Sequence, residues 1–337
     1  MKKEIGGKIT KRMKVLLIIL GGVLIAFGIV MYFYSPYSEA AKKSPGKIKW
    51  TPVPSPTTTV TKTPTPGASQ TATSGVPSPI YGVTVDNTSG ITNTVTALSK
   101  LSKKPTVRIV FDPGMHPADY QTAVDQIHNV AYTMAQPVDS DSMKDYTLDQ
   151  YKARFTEYLN AFGNKIDIWE VGNEVNGEWL GNATDVSAKI SGAYDIVKGK
   201  GAITALTLHF NEGEDCPTYP VNEMYSWVNT YVPAKMKSGT DYVLFSYYPE
   251  NCPEISPNWN SEFTKIGNIF TNSKLGFGEL GINGGTVAQK TALINQFYPM
   301  QISHPHYVKG IFWWYFKEEM VPYTNSLWGV LNTAINK

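Results

Sequence analysis

The sequence predicts an α/β protein whose main domain is a TIM (β/α)8 barrel, and three observations lead to this prediction. Eight short apolar runs, rich in β-branched and aromatic residues, recur between residue 80 and the end of the chain, as expected of buried strands. Segments with the apolar spacing of amphipathic helices separate these runs. The region that they occupy, 80–337, is close to the roughly 250 residues that such a barrel contains.

The predicted strands are five to seven residues long, and their first residues are 23 to 39 positions apart. This spacing leaves room for one helix between consecutive strands, which favours a parallel sheet. In chain order the predicted strands are IYGVTV (80–85), VRIVF (107–111), VAYTM (130–134), IDIWEV (166–171), ITALTL (203–208), YVLFSY (242–247), LGFGEL (275–280) and GIFWWYF (310–316).

Helices are predicted between the strands from apolar periodicity and, in several cases, from Pro, Thr or Asn at the start of the segment. They are 117–129, 147–162, 184–197, 222–232, 262–270 and 286–298. The alternative architecture is an open, doubly wound sheet. No GxGxxG follows the first strand and no Walker motif occurs in the sequence. The alternative therefore lacks its usual phosphate loop, and no nucleotide cofactor is expected.

The N-terminus has the composition of a membrane anchor. Residues 1–14 are basic, and 15–34 are uncharged and mostly apolar, the length needed to cross a bilayer as a helix. Six Lys or Arg precede this segment and four Lys follow it, which favours a cytoplasmic N-terminus and an extracellular remainder. The alternative is a signal peptide cleaved near SEA (38–40). The rest of the chain is exported in either case, as a single-pass protein of the cell membrane or as a secreted one.

Residues 35–79 are predicted to be a linker rich in Pro, Thr and Ser. Within it, residues 51–79 hold seven Pro, nine Thr and four Ser with one charged residue, so they can bury little. Such a segment is extended, spanning up to about 90 Å at roughly 3.1 Å per residue, and its hydroxyls are available for glycosylation. We expect it to hold the barrel, 80–337, away from the membrane.

Charge is distributed unevenly along the chain. Residues 1–50 contain ten Lys or Arg and two Glu, a net charge of +8, whereas the whole chain carries +2, so residues 51–337 carry −6. Binding of nucleic acid needs clustered Lys and Arg, which a mildly acidic domain argues against. Nucleic acid is therefore not expected as a partner, and membrane topology explains the basic N-terminus.

The two cysteines, Cys216 and Cys252, fall in segments that follow predicted strands 5 and 6. Loops after neighbouring strands of a parallel barrel lie on one face, and an exported domain favours oxidation. We therefore expect one disulfide. Two free thiols are the alternative.

Two glutamates stand at the C-terminal ends of predicted strands, where (β/α)8 barrels carry their chemistry. Glu174 follows strand 4 in IDIWEVGNE, and Glu279 ends strand 7 in LGFGELG. Two carboxyl groups facing each other across a barrel mouth suit glycoside hydrolysis, in which one protonates the leaving oxygen and the other meets the developing positive charge. Glu170, lower in strand 4, is expected to be a buried partner of Arg108 or a lysine. Glu178 is expected to face solvent, and the alternative is that it lines the loop after the strand.

Aromatic residues near the same strand ends favour a saccharide ligand, because the apolar faces of sugar rings stack on Trp and Tyr. We expect about half of them to pack in the core instead. These residues are Trp179, Tyr247, Trp259, Trp313 and Trp314.

Histidines and metal motifs give less information. His209, at the end of strand 5, either joins the site or is a core residue. His304 and His306 precede strand 8, on the face opposite to the predicted site. No HExxH motif or Cys/His cluster occurs in the sequence, so we expect no catalytic metal.

These motifs resemble those of the retaining glycoside hydrolases of clan A. The likeness rests on WEVGNE, in which Asn173 precedes Glu174, and on GFGELG, which contains Glu279. It extends to VRIVF in strand 2, SYYP in strand 6 and the tryptophans of strand 8. It thus covers the region after the linker, through short motifs. The resemblance implies a (β/α)8 catalytic domain that cleaves β-linked glycans with retention of anomeric configuration.

The resemblance also implies a role for each matching residue. Glu174 would be the general acid/base, and Glu279 would be the nucleophile that forms a glycosyl-enzyme intermediate. Asn173 would hydrogen-bond the sugar 2-hydroxyl. Arg108 would lie near Glu279 and keep it ionised, as a nearby cation does.

Further substrate contacts are expected around this pair. By resemblance, Tyr248 would approach the nucleophile from strand 6, and Trp313 or Trp314 would form the floor under the cleaved sugar; Trp179 and His209 are added as candidates from their positions. One position departs from the family pattern: many members have a His two residues before that tyrosine, and this chain has Ser246. The Ser-Tyr-Tyr-Pro motif is similar to that of endo-β-1,4-galactanases.

The sequence therefore predicts a membrane-anchored extracellular β-glycosidase that acts within polysaccharide chains by double displacement. A non-catalytic glycan-binding barrel on a stalk is the second hypothesis. An inverting hydrolase is the third. The separation of the two carboxyl groups distinguishes the two enzymes, since it is about 5 to 5.5 Å for retention and about 6.5 to 9.5 Å for inversion.

Overall fold

The computed structural model describes residues 76–212, 216 and 218–337 of the chain. Within them, eight parallel strands form a closed barrel in sequential order, and β8 pairs with β1. The strands are β1 (Tyr81–Val85), β2 (Thr106–Val110), β3 (Tyr132–Gln136), β4 (Ile168–Gly172), β5 (Thr204–His209), β6 (Tyr242–Tyr247), β7 (Lys274–Leu280) and β8 (Tyr307–Trp313).

The eight predicted strands are all present, so the predicted TIM barrel is confirmed. Observed and predicted bounds differ by at most three residues. The largest difference is in β8, which begins at Tyr307 and not at Gly310. Lys309 has φ 51° there, and the register against β7 shifts at this point. A bulge that carries a charged side chain breaks the apolar pattern on which the sequence prediction depends.

Helices alternate with the strands. Their bounds are Ile91–Ser99, Pro117–His128, Leu148–Phe162, Ala183–Gly199, Met224–Tyr231, Ala234–Gly239, Trp259–Ile269, Val287–Phe297, Phe316–Met320 and Ser326–Ala334. Six of them match the predicted helices. The side chains of Thr147 and Thr286 cap two of these six, each as part of a capping box with the glutamine three residues later.

Four of these helices were not predicted from the sequence: Ile91–Ser99, Ala234–Gly239, Phe316–Met320 and Ser326–Ala334. They are short, and short helices in proteins depend on packing more than on propensity. The first contains three threonines, which have weak helix propensity. Its residues Thr94, Ala97 and Leu98 are buried, and this tertiary packing is what a local pattern does not report.

A buried arginine connects loops on the face where the strands end. Arg154, in the helix after β3, donates to the carbonyl oxygens of Pro137, Met115, Phe111 and Asp112 at 2.5 to 3.0 Å. These carbonyls lie in the segments that follow β2 and β3. Because a buried backbone carbonyl without a partner is costly, the guanidinium fixes both loops against the barrel.

The predicted disulfide between Cys216 and Cys252 is confirmed. It joins the segment after β5 to the segment after β6, with the two Cα atoms 5.6 Å apart. The two loops therefore hold each other on the face of the barrel that carries the strand ends.

The predicted basic tail (1–14), membrane span (15–34) and most of the linker (35–79) lie outside the described residues. In the part of the chain that the structure does describe, no helix combines the length and the apolar composition that a membrane crossing requires.

Candidate active site

A cavity of about 410 Å³ lies at the C-terminal ends of the strands. Glu174 and Glu279 both line it, so the structure brings the two predicted carboxylates together. The lining residues are Asp139, Ser140, Asp141, Glu174, Trp179, His209, Tyr248, Glu250, Asn251, Glu279, Asn283, Trp314 and Tyr315.

Local backbone geometry lifts Glu174 into this cavity. The register of β4 against β5 shifts between Glu170 and Gly172, which marks a bulge at the end of the strand. A Cβ atom at Gly172 would lie 2.5 Å from Val175 Cγ1 and 2.6 Å from Ile190 Cγ2, so the tight path of the chain requires glycine here. Glu174 itself has φ 46°. A left-handed residue other than glycine costs of order 1 to 3 kcal/mol, and such strain is concentrated at functional sites.

Arg108 of β2 lies beneath the cavity and contacts two glutamates. Its Nε and Nη2 atoms donate to the two carboxylate oxygens of Glu170 at 2.8 and 2.9 Å, and Nη1 donates to Glu279 Oε1 at 2.7 Å. The Arg108 and Glu170 side chains are 0% exposed and that of Glu279 is 4% exposed. Glu170 is therefore the buried partner of Arg108 that the sequence predicts.

Two further donors hold Glu279. Asn173 Nδ2 donates to Oε1 at 2.7 Å, and Tyr248 Oη donates to Oε2 at 3.0 Å. Burial raises the pKa of Tyr248 well above its ordinary value, so its hydroxyl remains a donor. The Oδ1 atom of Asn173 in turn accepts from Ser140 N at 3.0 Å, which fixes the orientation of the amide.

Glu174 is held by a different set of groups. Ser246 Oγ lies 2.6 Å from Oε1, Ser140 Oγ donates to Oε2 at 2.9 Å, and His209 Nδ1 lies 3.2 Å from Oε1. The His209 ring meets the Trp179 ring edge-on, with centroids 5.1 Å apart. Of the two alternatives left open by the sequence, His209 therefore belongs to the site and not only to the core.

Ser246 also touches the second carboxylate. Its Oγ is 3.3 Å from Glu279 Oε2 as well as 2.6 Å from Glu174 Oε1, so these two oxygens are at most 5.9 Å apart, the sum of the two distances. A single hydroxyl proton serves only one of these contacts at a time, and the shorter distance favours Glu174 as its acceptor. The residue that departs from the family pattern thus lies between the two carboxyl groups.

The carboxyl groups have different electrostatic surroundings. Burial raises the pKa of Glu279 to about 7, and the charges of Glu174 and Glu170 add to this effect while Arg108 opposes it. Burial also acts against ionisation of Glu174, but the hydrogen bond and charge of His209, with the bonds from Ser246 and Ser140, lower its pKa overall. Two carboxyl groups this close share protons as a pair.

Several aromatic residues do not line the cavity. Trp313 is fully buried and donates its Nε1 to Glu319 Oε2 at 3.0 Å, whereas the next residue, Trp314, lines the cavity. The expectation that Trp313 contacts the substrate is therefore corrected. Consecutive residues at a strand end point to opposite sides, and Trp313 faces the helical layer. Tyr247 and Trp259 pack against each other, with ring centroids 4.8 Å apart, and belong to the core.

Glu178 is half-buried, so of its two alternatives the structure favours a place in the loop over the expected solvent-facing one. Its Oε1 accepts a hydrogen bond from Tyr219 N at 2.6 Å, so it ties the loop after β4 to the loop after β5.

The sequence reasoning missed the segment that follows β3. Asp139 accepts from Gln136 Nε2 at 2.8 Å and from Asp141 N at 3.0 Å, and it caps the short 3-10 helix Ser140–Asp145. This turn brings Ser140 to both Asn173 and Glu174. The signal was the polar run DSDS (139–142), which begins three residues after the end of β3, but the predicted strand ended two residues early, at residue 134.

No group of three or more His, Cys, Asp and Glu side chains is arranged to hold a metal ion within residues 76–212, 216 and 218–337.

Neither a protein-family model nor a curated protein matches this sequence. Solved structures do resemble it. The glycoside hydrolase family 30 subfamily 8 xylanase Xyn30A from Clostridium acetobutylicum aligns with a TM-score of 0.50 at 10% identity, over 78% of this chain and 72% of that one. Saccharomyces cerevisiae Gas2p, solved with laminaritriose and laminaritetraose, aligns with a TM-score of 0.47 at 13% identity, over 77% of this chain. The match spans 64% of the Gas2p chain.

A sugar phosphate isomerase/epimerase from Parabacteroides distasonis also aligns, with a TM-score of 0.42 at 12% identity, over 79% of this chain and 97% of that one. Barrel folds in general host many unrelated functions. At such identities the comparisons show that the chain has the (β/α)8-barrel fold, and its function has to be argued from the site.

Proposed function

We propose that this protein is a retaining glycoside hydrolase of the clan A type, which cleaves β-glycosidic bonds within a glycan chain. The observation that carries the proposal is the pair of buried carboxyl groups, Glu174 and Glu279, whose facing oxygens are at most 5.9 Å apart across Ser246. Retaining enzymes have their carboxyl groups about 5 to 5.5 Å apart, and inverting enzymes need about 6.5 to 9.5 Å to admit a water molecule.

In the proposed reaction, Glu279 attacks the anomeric carbon while Glu174 gives its proton to the glycosidic oxygen. The bond from the anomeric carbon to that oxygen breaks, and a glycosyl ester forms on Glu279. Glu174, now ionised, takes a proton from water, whose oxygen attacks the anomeric carbon and releases Glu279 as a carboxylate. Each step inverts the anomeric centre, so the product retains the original configuration.

The neighbours of Glu279 support its role as nucleophile. Arg108 and Asn173 both contact Oε1 at 2.7 Å, and Tyr248 contacts Oε2 at 3.0 Å. Donors of this kind orient a carboxylate and favour its ionised form. In the proposal Asn173 turns part of its hydrogen bonding to the sugar 2-hydroxyl, and Trp314 stacks under the sugar ring.

The proposed reaction depends on which carboxyl group, Glu174 or Glu279, carries the proton of the pair. Burial raises the pKa of Glu279 to about 7 and the groups around Glu174 lower the pKa of that residue, so the two carboxyl groups titrate as a pair that shares its last proton. Catalysis needs it on Glu174. In the proposal substrate binding places this proton on Glu174, and Ser246 Oγ contacts both carboxyl groups, at 3.3 Å from Glu279 and 2.6 Å from Glu174.

The experiment is an assay of β-linked glucans, mannans, galactans and xylans for released reducing ends. We expect one of these classes to be cut by the wild type and not by Glu279→Gln, with both proteins equally folded by thermal melting. Proton NMR of the first product should show the β-anomer. An initial α-anomer would mean inversion. Affinity for a glycan with no release of reducing ends would favour the non-catalytic glycan-binding barrel.

We also propose that residues 15–34 anchor the chain in the cell membrane with the barrel outside. The disulfide between Cys216 and Cys252 supports export, because such bonds persist in oxidising compartments. Expression of the full chain and of a form lacking residues 1–34 tests this. We expect the full chain in the membrane fraction, with its barrel sensitive to protease added to intact cells, and the shortened form in a soluble fraction. Protease resistance of the full chain, or release of its barrel by cleavage near residue 40, would contradict the anchor.

A further inference from the structure

The cavity carries more negative charge than the proposed reaction uses. Besides Glu174 and Glu279, three acidic side chains line it: Asp139, Asp141 and Glu250. Burial favours the protonated form of Asp139, so the additional negative charge is that of the exposed Asp141 and Glu250. None of the described residues that line it is Lys or Arg. Arg108 lies below, and its guanidinium is already shared by two carboxylates, those of Glu170 and Glu279.

The additional carboxylates stand on two sides of the barrel mouth. Asp141 belongs to the segment after β3, and Glu250 belongs to the segment after β6. Both residues are exposed, and neither forms an ion pair with a described residue. Glu250 Oε1 accepts from Asn283 N at 2.5 Å, which holds this carboxylate at the rim.

The neutral groups of the same cavity suit uncharged sugars. Trp179, Trp314 and Tyr315 offer aromatic surface for the apolar faces of sugar rings. Asn251 and Asn283 offer amide groups that both donate to and accept from hydroxyls. A carboxylate or sulfate on the glycan would be desolvated here with no Lys or Arg of the described lining to pair with, and His209, the one basic residue of that lining, already contacts Glu174. Like charges in a confined site suppress the wrong ligand.

We propose that Asp141 and Glu250 restrict the substrate to glycans without acidic groups, so that uncharged chains are taken and uronate-bearing or sulfated chains are rejected. This inference rests on the proposed function, since it specifies the substrate class of the same site. A free amino group on the glycan is compatible with the cavity, because its positive charge meets the rim carboxylates.

The test compares an oligosaccharide from the β-linked class that is cut best with the same oligosaccharide after oxidation of its C6 hydroxymethyl groups to carboxylates. We expect kcat/KM to be at least about 100-fold higher for the uncharged form. The ratio should fall as salt is raised, because the interaction is electrostatic and the rim is exposed. Asp141→Asn combined with Glu250→Gln should reduce the ratio at least tenfold. A control, Asp149→Asn combined with Asp185→Asn, removes two charges from exposed residues on outer helices, outside the cavity, and should leave the ratio unchanged.

Binding to the Glu279→Gln protein, measured by calorimetry, gives a readout that does not depend on turnover. We expect the uncharged oligosaccharide to bind and the oxidised one to bind at least tenfold more weakly. Equal affinity and equal cleavage of both forms would overturn this inference and leave the proposed hydrolase intact. If the wild-type protein cleaves neither form but binds the uncharged one more tightly, the proposed hydrolase is overturned and the charge selection is retained.

Discussion

Arg108 Nη1 donates a 2.7 Å hydrogen bond to Glu279 Oε1, although 171 residues separate the two in the chain. The other edge of the guanidinium is held by Glu170, so one cation serves two buried carboxylates. This arrangement connects β2, β4 and β7 under the cavity, and it makes the charge balance of the site part of the stability of the barrel.

Replacing Arg108 by methionine should lower the free energy of unfolding by about 3 to 5 kcal/mol, because it leaves buried carboxylates without their partner. Urea unfolding at pH 8 measures this. The control is Lys235→Met, which breaks an exposed pair whose side chains are 45% and 58% exposed. Exposed pairs contribute at most about 1 kcal/mol. A loss no larger than the control would show that the Arg108 cluster is not a stabilising feature.

Glu174→Ala should lower kcat/KM for natural glycans by about 10² to 10⁴-fold, the usual contribution of a general acid. An aryl glycoside with a very acidic leaving group needs no proton for departure, so its glycosylation step should be far less affected. Added azide should then accelerate turnover by replacing water and yield a β-glycosyl azide. Equal losses on both substrates, without azide rescue, would argue against the acid/base assignment.

Ser246→Ala should move the alkaline limb of the kcat/KM profile to higher pH. The Ser246 hydroxyl stabilises ionised Glu174, as part of the set of groups that lowers its pKa. Without it the pair of carboxyl groups keeps its last proton to a higher pH, and the protonated acid survives longer. Ser246→Thr keeps the hydroxyl and should keep the wild-type limb. An unchanged limb in the alanine variant would mean that Ser246 has no electrostatic effect on the pair.

Asp139→Asn should become more stabilising as the pH rises. Burial raises the pKa of Asp139 to about 7, so folding favours its protonated form. The stability that this proton contributes is full below the unfolded pKa of about 4 and is lost as the pH rises through about 7. The neutral amide removes this loss. If the Gln136 amide rotates by half a turn, the new amide can also donate to Gln136 Oε1, which is buried and has no hydrogen-bond partner among the described residues.

Chemical unfolding of wild type and Asp139→Asn at pH 4 and pH 8 measures the effect. The difference between the two proteins should be larger at pH 8. Asp149→Asn, at an exposed position outside the cavity, is the control and should show no such pH dependence. A constant difference for Asp139→Asn would refute the expected link between this carboxyl group and folding.

Reduction of the disulfide between Cys216 and Cys252 should destabilise the protein by about 4 kcal/mol, from the entropy of closing a loop of this length. The two cysteines are 36 residues apart. Unfolding with and without reductant measures the loss. The Cys216→Ser/Cys252→Ser variant should match the reduced wild type and should not respond to reductant. A response of that variant would assign the effect to something other than the bond.

Most of the barrel could be predicted because its signals are local. Each strand is an apolar run of the right length, and the spacing between runs fits one helix. Since parallel strands in a closed barrel all end on the same face, Glu174 and Glu279 could be placed in one region without knowledge of side-chain positions. Glu170 was expected to have Arg108 or a lysine as a buried partner, in line with the cost of burying a charge alone, and the place of Arg108 near Glu279 was implied by the family resemblance.

Contacts that depend on which of two adjacent residues faces the cavity were not predictable. Trp313 and Trp314 are adjacent in sequence, and only the direction of the backbone at the end of β8 decides which one reaches the cavity. Ser140 lies in no motif, and the sequence marked Ser246 only as a departure from the clan A pattern, without indicating its contacts. The two serines meet Glu174 because a 3-10 turn after β3 and the end of β6 converge there.

The sequence by itself determined the number and order of the strands, the end of the barrel at which they terminate and the two acidic residues at that end. It could do so because periodicity and the cost of burying charge act within short segments. Only the tertiary structure decided which groups surround each carboxylate, and with them the pKa values of the pair and the negative charge of the rim. Those properties depend on distances between residues brought together from different strands and loops, and no local pattern encodes such distances.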